Sequence, residues 1–234
     1  MQVSRIAPAL LAAGMFLSGC AAGQSAAAPQ PTAAVAAFHG VEPLLVRARP
    51  NFVLRDTSGA AYDFGAKTGG QPTLLYFGYT NCPDECPTAM ADNATALRAT
   101  PVALRDQTRV VFITTDPDRD SAKVLRRFLD QWSTEYVGLR GSQAEVDAAQ
   151  RAVGIDPARK GAELETVPGR PDEHVHAAGA AAHQHFGPLG YGVAHANVIF
   201  GYDTSDRLPV LDPGGARPSD IAADLPLLAS GDSS

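Results

Sequence analysis

Apolar and polar positions change their spacing several times along the chain, and each change predicts an element. Around residues 50–64 the apolar positions alternate, with Phe52 and Leu54 before a polar, Gly-containing turn and Tyr62 and Phe64 after it, which predicts a hairpin. Residues 74–77, Leu-Leu-Tyr-Phe, form an unbroken apolar run after Gly70-Gln71-Pro72, the pattern of a central strand buried on both faces. Pro87 suits the first turn of a helix, where its missing N–H costs nothing, and the Ala-rich residues 88–99 supply the helix body. Residues 110–113 read as the next buried strand. After Asp116-Pro117-Asp118-Arg119-Asp120, the residues Val124, Leu125, Phe128, Leu129 and Trp132 share one face of a 3.6-residue repeat, with Asp120 or Ser121 as the cap. A short strand is expected at 137–139, and Ser142-Gln143-Ala144-Glu145 is a capping box opening a helix that runs through Val153. Residues 198–200 and 208–211 predict a late hairpin, and 221–228 a terminal helix weakened by Pro226. Residues 157–191, rich in Ala, Gly, Pro and His, show little periodicity and read as a long loop or loose hairpin, with a short strand at 164–167. Alternating strands and helices from Leu74 onward predict an α/β sheet with crossover connections.

The first forty residues have a different composition. Arg5 precedes an apolar stretch, residues 6–17, too short to span a bilayer, and Leu17-Ser18-Gly19-Cys20 resembles the bacterial lipobox. By that resemblance residues 1–19 are a lipoprotein signal peptide and Cys20 carries the lipid, whose paired acyl chains anchor the protein on the extracytoplasmic face of a bacterial membrane. Residues 20–40 hold little to bury and read as a flexible tether to a domain over 41–234. His39 carries no signal there. The full 234 residues suit one well-filled domain with an extension. The net charge of −6 leaves no basic stripe for nucleic acid.

With Cys20 set aside, Cys82 and Cys86 are the remaining thiols, in an oxidising compartment. They follow the central apolar run directly and can either cycle between dithiol and disulfide or hold a soft metal ion. Their spacing is one residue wider than C-x-x-C, and Asp84 and Glu85 lie between them, disfavouring thiolates and attracting cations. Of six histidines, five fall between His174 and His195. His195 lies just before the strand at 197–200, and in a thioredoxin-like fold the loop leading into that strand lies against the cysteine turn. A set of Cys82, Cys86 and His195 would suit Cu(I), with the imidazole helping to accommodate Cu(II). His174, His176, His183 and His185 read as a solvated, low-complexity loop, with an auxiliary copper-capturing arm as the sharper alternative.

The string Tyr76-Phe77-Gly78-Tyr79-Thr80-Asn81-Cys82-Pro83-Asp84-Glu85-Cys86-Pro87 is long and specific. Together with Pro50-Asn51-Phe52-Val53-Leu54, the Asp116–Asp120 turn and His195 before an apolar strand, it resembles the Sco (SenC/PrrC) copper-metallochaperone family over roughly residues 50–228. The resemblance implies a thioredoxin-like fold, here with an N-terminal β-hairpin and an inserted His-rich loop. It implies copper bound by Cys82, Cys86 and His195. It also implies delivery of that copper to the Cu(A) site of cytochrome c oxidase, or reduction of that site's cysteines. The expected partners are the copper-site subunit, the membrane, and another copper chaperone or a thiol reductant. The chain departs from the family in two places: Ala194 stands where members usually carry Asp, and the loop over 157–191 is longer. The chain reads as a metallochaperone rather than an enzyme. The rivals are a thiol:disulfide oxidoreductase using Cys82 and Cys86, and a peroxidase-like thioredoxin relative. The blander readings are a structural disulfide and a packed histidine. His195 discriminates, because a reductase has no need of it.

Overall fold

A computed structural model describes residues 37–161, 182–183 and 191–231. In chain order the strands are β1 (Arg47–Ala48), β2 (Val53–Asp56), β3 (Ala61–Asp63), β4 (Thr73–Gly78), β5 (Arg109–Thr114), β6 (Val137–Arg140), β7 (Arg159–Lys160), β8 (Ala182–His183), β9 (Val193–Ala196), β10 (Val198–Tyr202), β11 (Arg207–Leu208) and β12 (Val210–Pro213). The helices are α1 (Phe64–Thr68), α2 (Glu85–Ala99), α3 (Val102–Gln107), α4 (Ala122–Leu129), α5 (Gln143–Val153) and α6 (Pro218–Ser230).

The apolar run at 74–77 becomes the middle of the main sheet, whose order is β12-β10-β4-β5-β6-β2-β3. Strands β4, β5 and β6 are parallel, with Leu75 opposite Val111 and Ile113 opposite Leu139, and the strands on either flank are antiparallel. Parallel neighbours need crossovers, and α2 and α4 supply them. Every residue of β4 is buried, as a strand covered on both faces must be. Leu74 and Tyr76 face one layer, with Met90 and Leu97 of α2, Leu125 and Leu129 of α4 and Leu225 of α6. Leu75 and Phe77 face the other, with Phe64 of α1 and Val146, Ala149 and Val153 of α5. Each such side chain contributes about 1.5–3 kcal/mol by leaving water.

Residues 38–41 pack on this framework. Phe38 lies against the first layer, the backbone N–H groups of His39 and Gly40 donate to Asp224 of α6, and Val41 bridges to Leu211. The described part of the stretch read as a tether, from residue 37, is thus hydrogen-bonded to the sheet and to α6. Asp224 also accepts from the His39 ring at 2.9 Å, a contact that no local pattern signals.

Several elements differ from the pattern-based expectation. Phe64, read as the end of a strand, starts α1, because the Asp63 carboxylate accepts from Ala66 N–H and caps a helix there. Helix α4 ends at Leu129, short of Trp132. Arg126 donates to the carbonyls of Tyr136 and Ser133 and folds the chain back, leaving Trp132 half-buried with its ring against Phe128. Helix α6 starts three residues earlier than expected and continues through Pro226, held by buried Ile221, Leu225 and Leu228. Helix α3 has no counterpart in the pattern, because it buries no residue and so has no apolar period. Within 157–191, β7 and β8 flank β9 in a small antiparallel sheet, and the strand expected at 164–167 lies outside the described residues. Among the described residues no helix is long and apolar enough to cross a membrane.

Candidate metal centre

Strand β4 stops at Gly78 and hands the chain to the cysteine turn. A Cβ on Gly78 would sit 2.8 Å from Cys86 Sγ and 2.7 Å from the Tyr76 ring, so the sulfur occupies space that only glycine leaves open. Thr115 N–H donates to the Gly78 carbonyl at 2.7 Å. Thr80 is then clamped by the buried Asp120 carboxylate, which accepts from Thr80 N–H at 2.9 Å, from Thr80 O–H at 2.5 Å and from Thr114 O–H at 2.5 Å. The capping role expected of Asp120 or Ser121 falls to Ser121, whose hydroxyl accepts from Val124 N–H. Beyond Thr80, α2 opens at Glu85 with Pro87 in its first turn, and Asp84 accepts from Glu85 N–H at 2.6 Å. Cys82 Sγ accepts from Cys86 N–H at 3.3 Å, taking the place of a capping oxygen. Asp84 is exposed, and its carboxylate serves the helix terminus.

The third candidate comes from a strand far along the chain that packs in the same layer as the cysteines. His195, expected in a loop, lies instead within β9, where Val193 and His195 are buried while Ala194 and Ala196 are half-buried. Its Nε2 is 3.5 Å from Cys86 Sγ. One ligand atom each from Cys82, Cys86 and His195 falls within 4.8 Å of the others, and the three residues are 6, 0 and 2% exposed. His195 Nδ1 lies 3.1 Å from the Ala196 carbonyl. A carbonyl only accepts, so Nδ1 carries the proton and Nε2 offers its lone pair towards the sulfurs. With no carboxylate beside it at Ala194, this backbone carbonyl does the orienting.

Aromatic rings fix the imidazole. Tyr76 and Tyr79 stand edge-on to it, with centroids at 6.0 and 5.8 Å. Arg119 lies over Tyr79 at 5.6 Å and over Tyr191 at 3.7 Å, and is itself held by buried Asp116, which also accepts from the Tyr191 hydroxyl at 2.9 Å. The Asp-Pro-Asp-Arg-Asp turn therefore braces the site at two points, Asp120 under Thr80 and Asp116 behind Arg119.

The two thiols are inequivalent. Cys82 is pushed down to about 4, first by its hydrogen bond with Cys86 and then by the backbone N–H groups of Cys86 and Asp84, which outweigh its burial. Cys86 is pushed up by complete burial and by its hydrogen bond with Cys82. The resting pair is one thiolate and one thiol. Two sulfurs and an imidazole nitrogen converging in a buried pocket make a soft donor set, and a low-pKa thiolate beside a thiol can also do disulfide chemistry.

Of the residues singled out by sequence, Cys82, Cys86 and His195 come together. Cys20, His174, His176 and His185 lie outside the described residues, and His183 is described only as a backbone partner in β8, opposite His195. Sequence reasoning does not reach Tyr79, Arg119, Asp120 and Asn197 as parts of the site. Tyr79 lies inside the motif string, but its contact with His195 spans 116 positions that no local pattern links.

The SCO1/SenC family profile matches residues 45–226. Protein SenC of Rhodobacter capsulatus is 42% identical over 82 residues, 35% of this chain and 37% of that protein. A putative copper-binding protein of Stutzerimonas stutzeri is 33% identical over 86 residues, 37% of this chain and 42% of that one. The chain thus spans about two fifths of the length of these curated relatives. Among solved structures, Bradyrhizobium japonicum ScoI with copper bound superposes with a TM-score of 0.58 at 25% identity, over 78% of this chain and 100% of that one. Apo Sco1 from Thermus thermophilus gives 0.63 at 25% identity, over 84% and 99%. The fold is the thioredoxin-like one these proteins share, as the sequence led us to expect. With a matched region that runs from just before the hairpin to within α6 and contains all three converging residues, the chain belongs to the SCO1/SenC family.

Proposed function

We propose that this chain carries copper between Cys82 Sγ, Cys86 Sγ and His195 Nε2 and passes it to the Cu(A) subunit of cytochrome c oxidase during assembly, or reduces that site's cysteines before loading. The observation that carries the reading is the convergence of three soft donors, from α2, its leading turn and β9, in one buried pocket. The oriented imidazole supports it: a histidine whose Nδ1 proton is committed to the Ala196 carbonyl has its Nε2 lone pair free for a metal. Copper named for the Stutzerimonas relative and bound in the Bradyrhizobium structure supports the choice of ion. Copper arriving as Cu(I) finds Cys82 already a thiolate and releases one proton from Cys86, so loading requires the reduced pair. Another copper chaperone or a thiol reductant is the partner such loading calls for.

We propose that the working protein sits on the extracytoplasmic face of a bacterial membrane, signal peptide 1–19 removed, anchored through lipidated Cys20 and joined to the domain by a tether that ends where residues 38–40 dock on the sheet and α6. Leu17-Ser18-Gly19-Cys20 supports this, and Cys20→Ser is expected to move the protein from the membrane to the soluble fraction. The functional test is a Cu(I) titration of reduced protein against a chromophoric competitor. One copper per chain is expected, with affinity at least tenfold lower in His195→Ala. The unequal acidity of the thiols favours a second reading, a thiol:disulfide oxidoreductase. That reading wins if His195→Ala binds copper normally while Cys82 and Cys86 rapidly reduce protein disulfides.

A further inference from the structure

We infer that Tyr76 is a positioning residue for Cys86, holding its sulfur through the phenol hydroxyl while Asn197 holds the phenol. Tyr76 is 1% exposed, and its hydroxyl donates to Asn197 Oδ1 at 2.9 Å and lies 3.8 Å from Cys86 Sγ. A buried phenol brings a polar group into the core that phenylalanine, of nearly the same shape, would not, so the hydroxyl has work beyond packing against Phe112. Its two partners belong to the two halves of the centre. Cys86 sits in the first turn of α2, and Asn197 is two residues past His195, between β9 and β10. The hydroxyl therefore ties the cysteine helix to the segment that carries the imidazole.

Asn197 is a stiff anchor. Its side-chain amide is wedged against Gly214, where a Cβ would approach Nδ2 to 2.0 Å, and its backbone carbonyl accepts from Gly214 N–H at 2.8 Å. In the reduced, metal-free pair the Cys86 proton goes to the Cys82 thiolate, and the phenol hydroxyl points between Asn197 Oδ1 and the Cys86 sulfur. When Cys86 acts as a ligand it is a thiolate and only accepts, and the hydroxyl turns its proton onto the sulfur. Such a bond to a charged acceptor is stronger than a neutral one. The disulfide form has neither an S–H nor a charge to offer. Closing it from the thiolate–thiol pair passes two electrons and the single Cys86 proton to an external disulfide, whose S–S bond breaks to give one thiolate and one thiol.

The test uses Tyr76→Phe and Asn197→Ala, each with two readouts. The first rests on the copper reading: Cu(I) affinity by competition, and the energy of the thiolate-to-Cu(II) absorption band. The second needs no metal: the dithiol-to-disulfide ratio at equilibrium with a glutathione buffer. Tyr76→Phe is expected to lower copper affinity about tenfold, to shift the band to longer wavelength, and to move the ratio towards disulfide roughly fivefold. Asn197→Ala is expected to move both readouts the same way by a smaller factor, and it carries the test if Tyr76→Phe fails to fold. Unchanged affinity and unchanged ratio in folded variants overturn the inference. So does a loss of affinity accompanied only by a lower Tm, with band and ratio fixed. If the unaltered protein binds no copper but Tyr76→Phe still shifts the ratio, the copper reading falls and the role of Tyr76 stands.

Discussion

Replacing Asp212 with asparagine should remove a pH dependence that is built into this domain away from the metal centre. Asp212 sits on β12, 1% exposed, and neither carboxyl oxygen has a hydrogen-bond partner among the described residues. Gly40 covers it so closely that a Cβ there would lie 2.5 Å from Oδ1. Asp224 and Asp220 of α6 repel its charge, His39 of the N-terminal segment opposes them, and Arg217 is spent on Asp220. Burial first, then Asp224 and Asp220, lifts the group from 3.8 to about 7. The folded chain therefore keeps a proton that the unfolded chain has already lost. The associated stability is fully present below about pH 4 and disappears as pH rises through 7. At about 1.36 kcal/mol per pH unit the whole effect is about 4 kcal/mol, a large share of a typical domain's stability. Urea denaturation followed by the fluorescence of Trp132, the single tryptophan, measures it at pH 5 to 9. The carboxamide introduced by Asp212→Asn does not titrate, so groups common to both proteins cancel in the difference between the two curves. The variant should equal or fall slightly below the parent at pH 5 and exceed it by about 2–4 kcal/mol at pH 9. Parallel curves would refute the reasoning.

Two further substitutions probe the cysteine turn. Gly78→Ala places a methyl 2.8 Å from Cys86 Sγ and should lower Cu(I) affinity by tenfold or more with a modest loss of stability, read by competition titration and urea denaturation; native affinity would mean the sulfur has room to shift. Asp120→Ala strips Thr80 and Thr114 of a shared acceptor in the core and should cost about 3 kcal/mol or more. It should also raise the rate at which Cys82 and Cys86 react with a thiol reagent in native conditions, and a loss under 1 kcal/mol with unchanged thiol reactivity would count against the clamp.

Period and punctuation were enough where one residue's environment is set by its near neighbours. The alternation of Leu74 and Tyr76 against Leu75 and Phe77 carries both layers of the core. The Ser142–Glu145 capping box is a four-residue device and appears as read. Elements whose existence depends on distant partners were harder. Helix α3 fully buries no residue, and β7 and β9 are strands because they pair with one another across more than thirty residues. Asp116, Asp120 and Arg119 spell a turn in sequence, and nothing local says that the turn reaches under Thr80 and Tyr79.

The two cysteines, their spacing, the proline in the first turn of α2 and the family they belong to are properties of the string itself. A short motif folds on its own turn, and its chemistry is written in its residue types. Tertiary structure decided that His195 faces those sulfurs from a strand 109 positions away, with Ala196 rather than a carboxylate orienting it. It also made Cys86 the more deeply buried thiol and Cys82 the acidic one, and joined Tyr76 to Asn197 behind them. Distances across a sheet, and the dielectric at each sulfur, depend on how the whole chain excludes water, and no stretch of sequence holds that information locally.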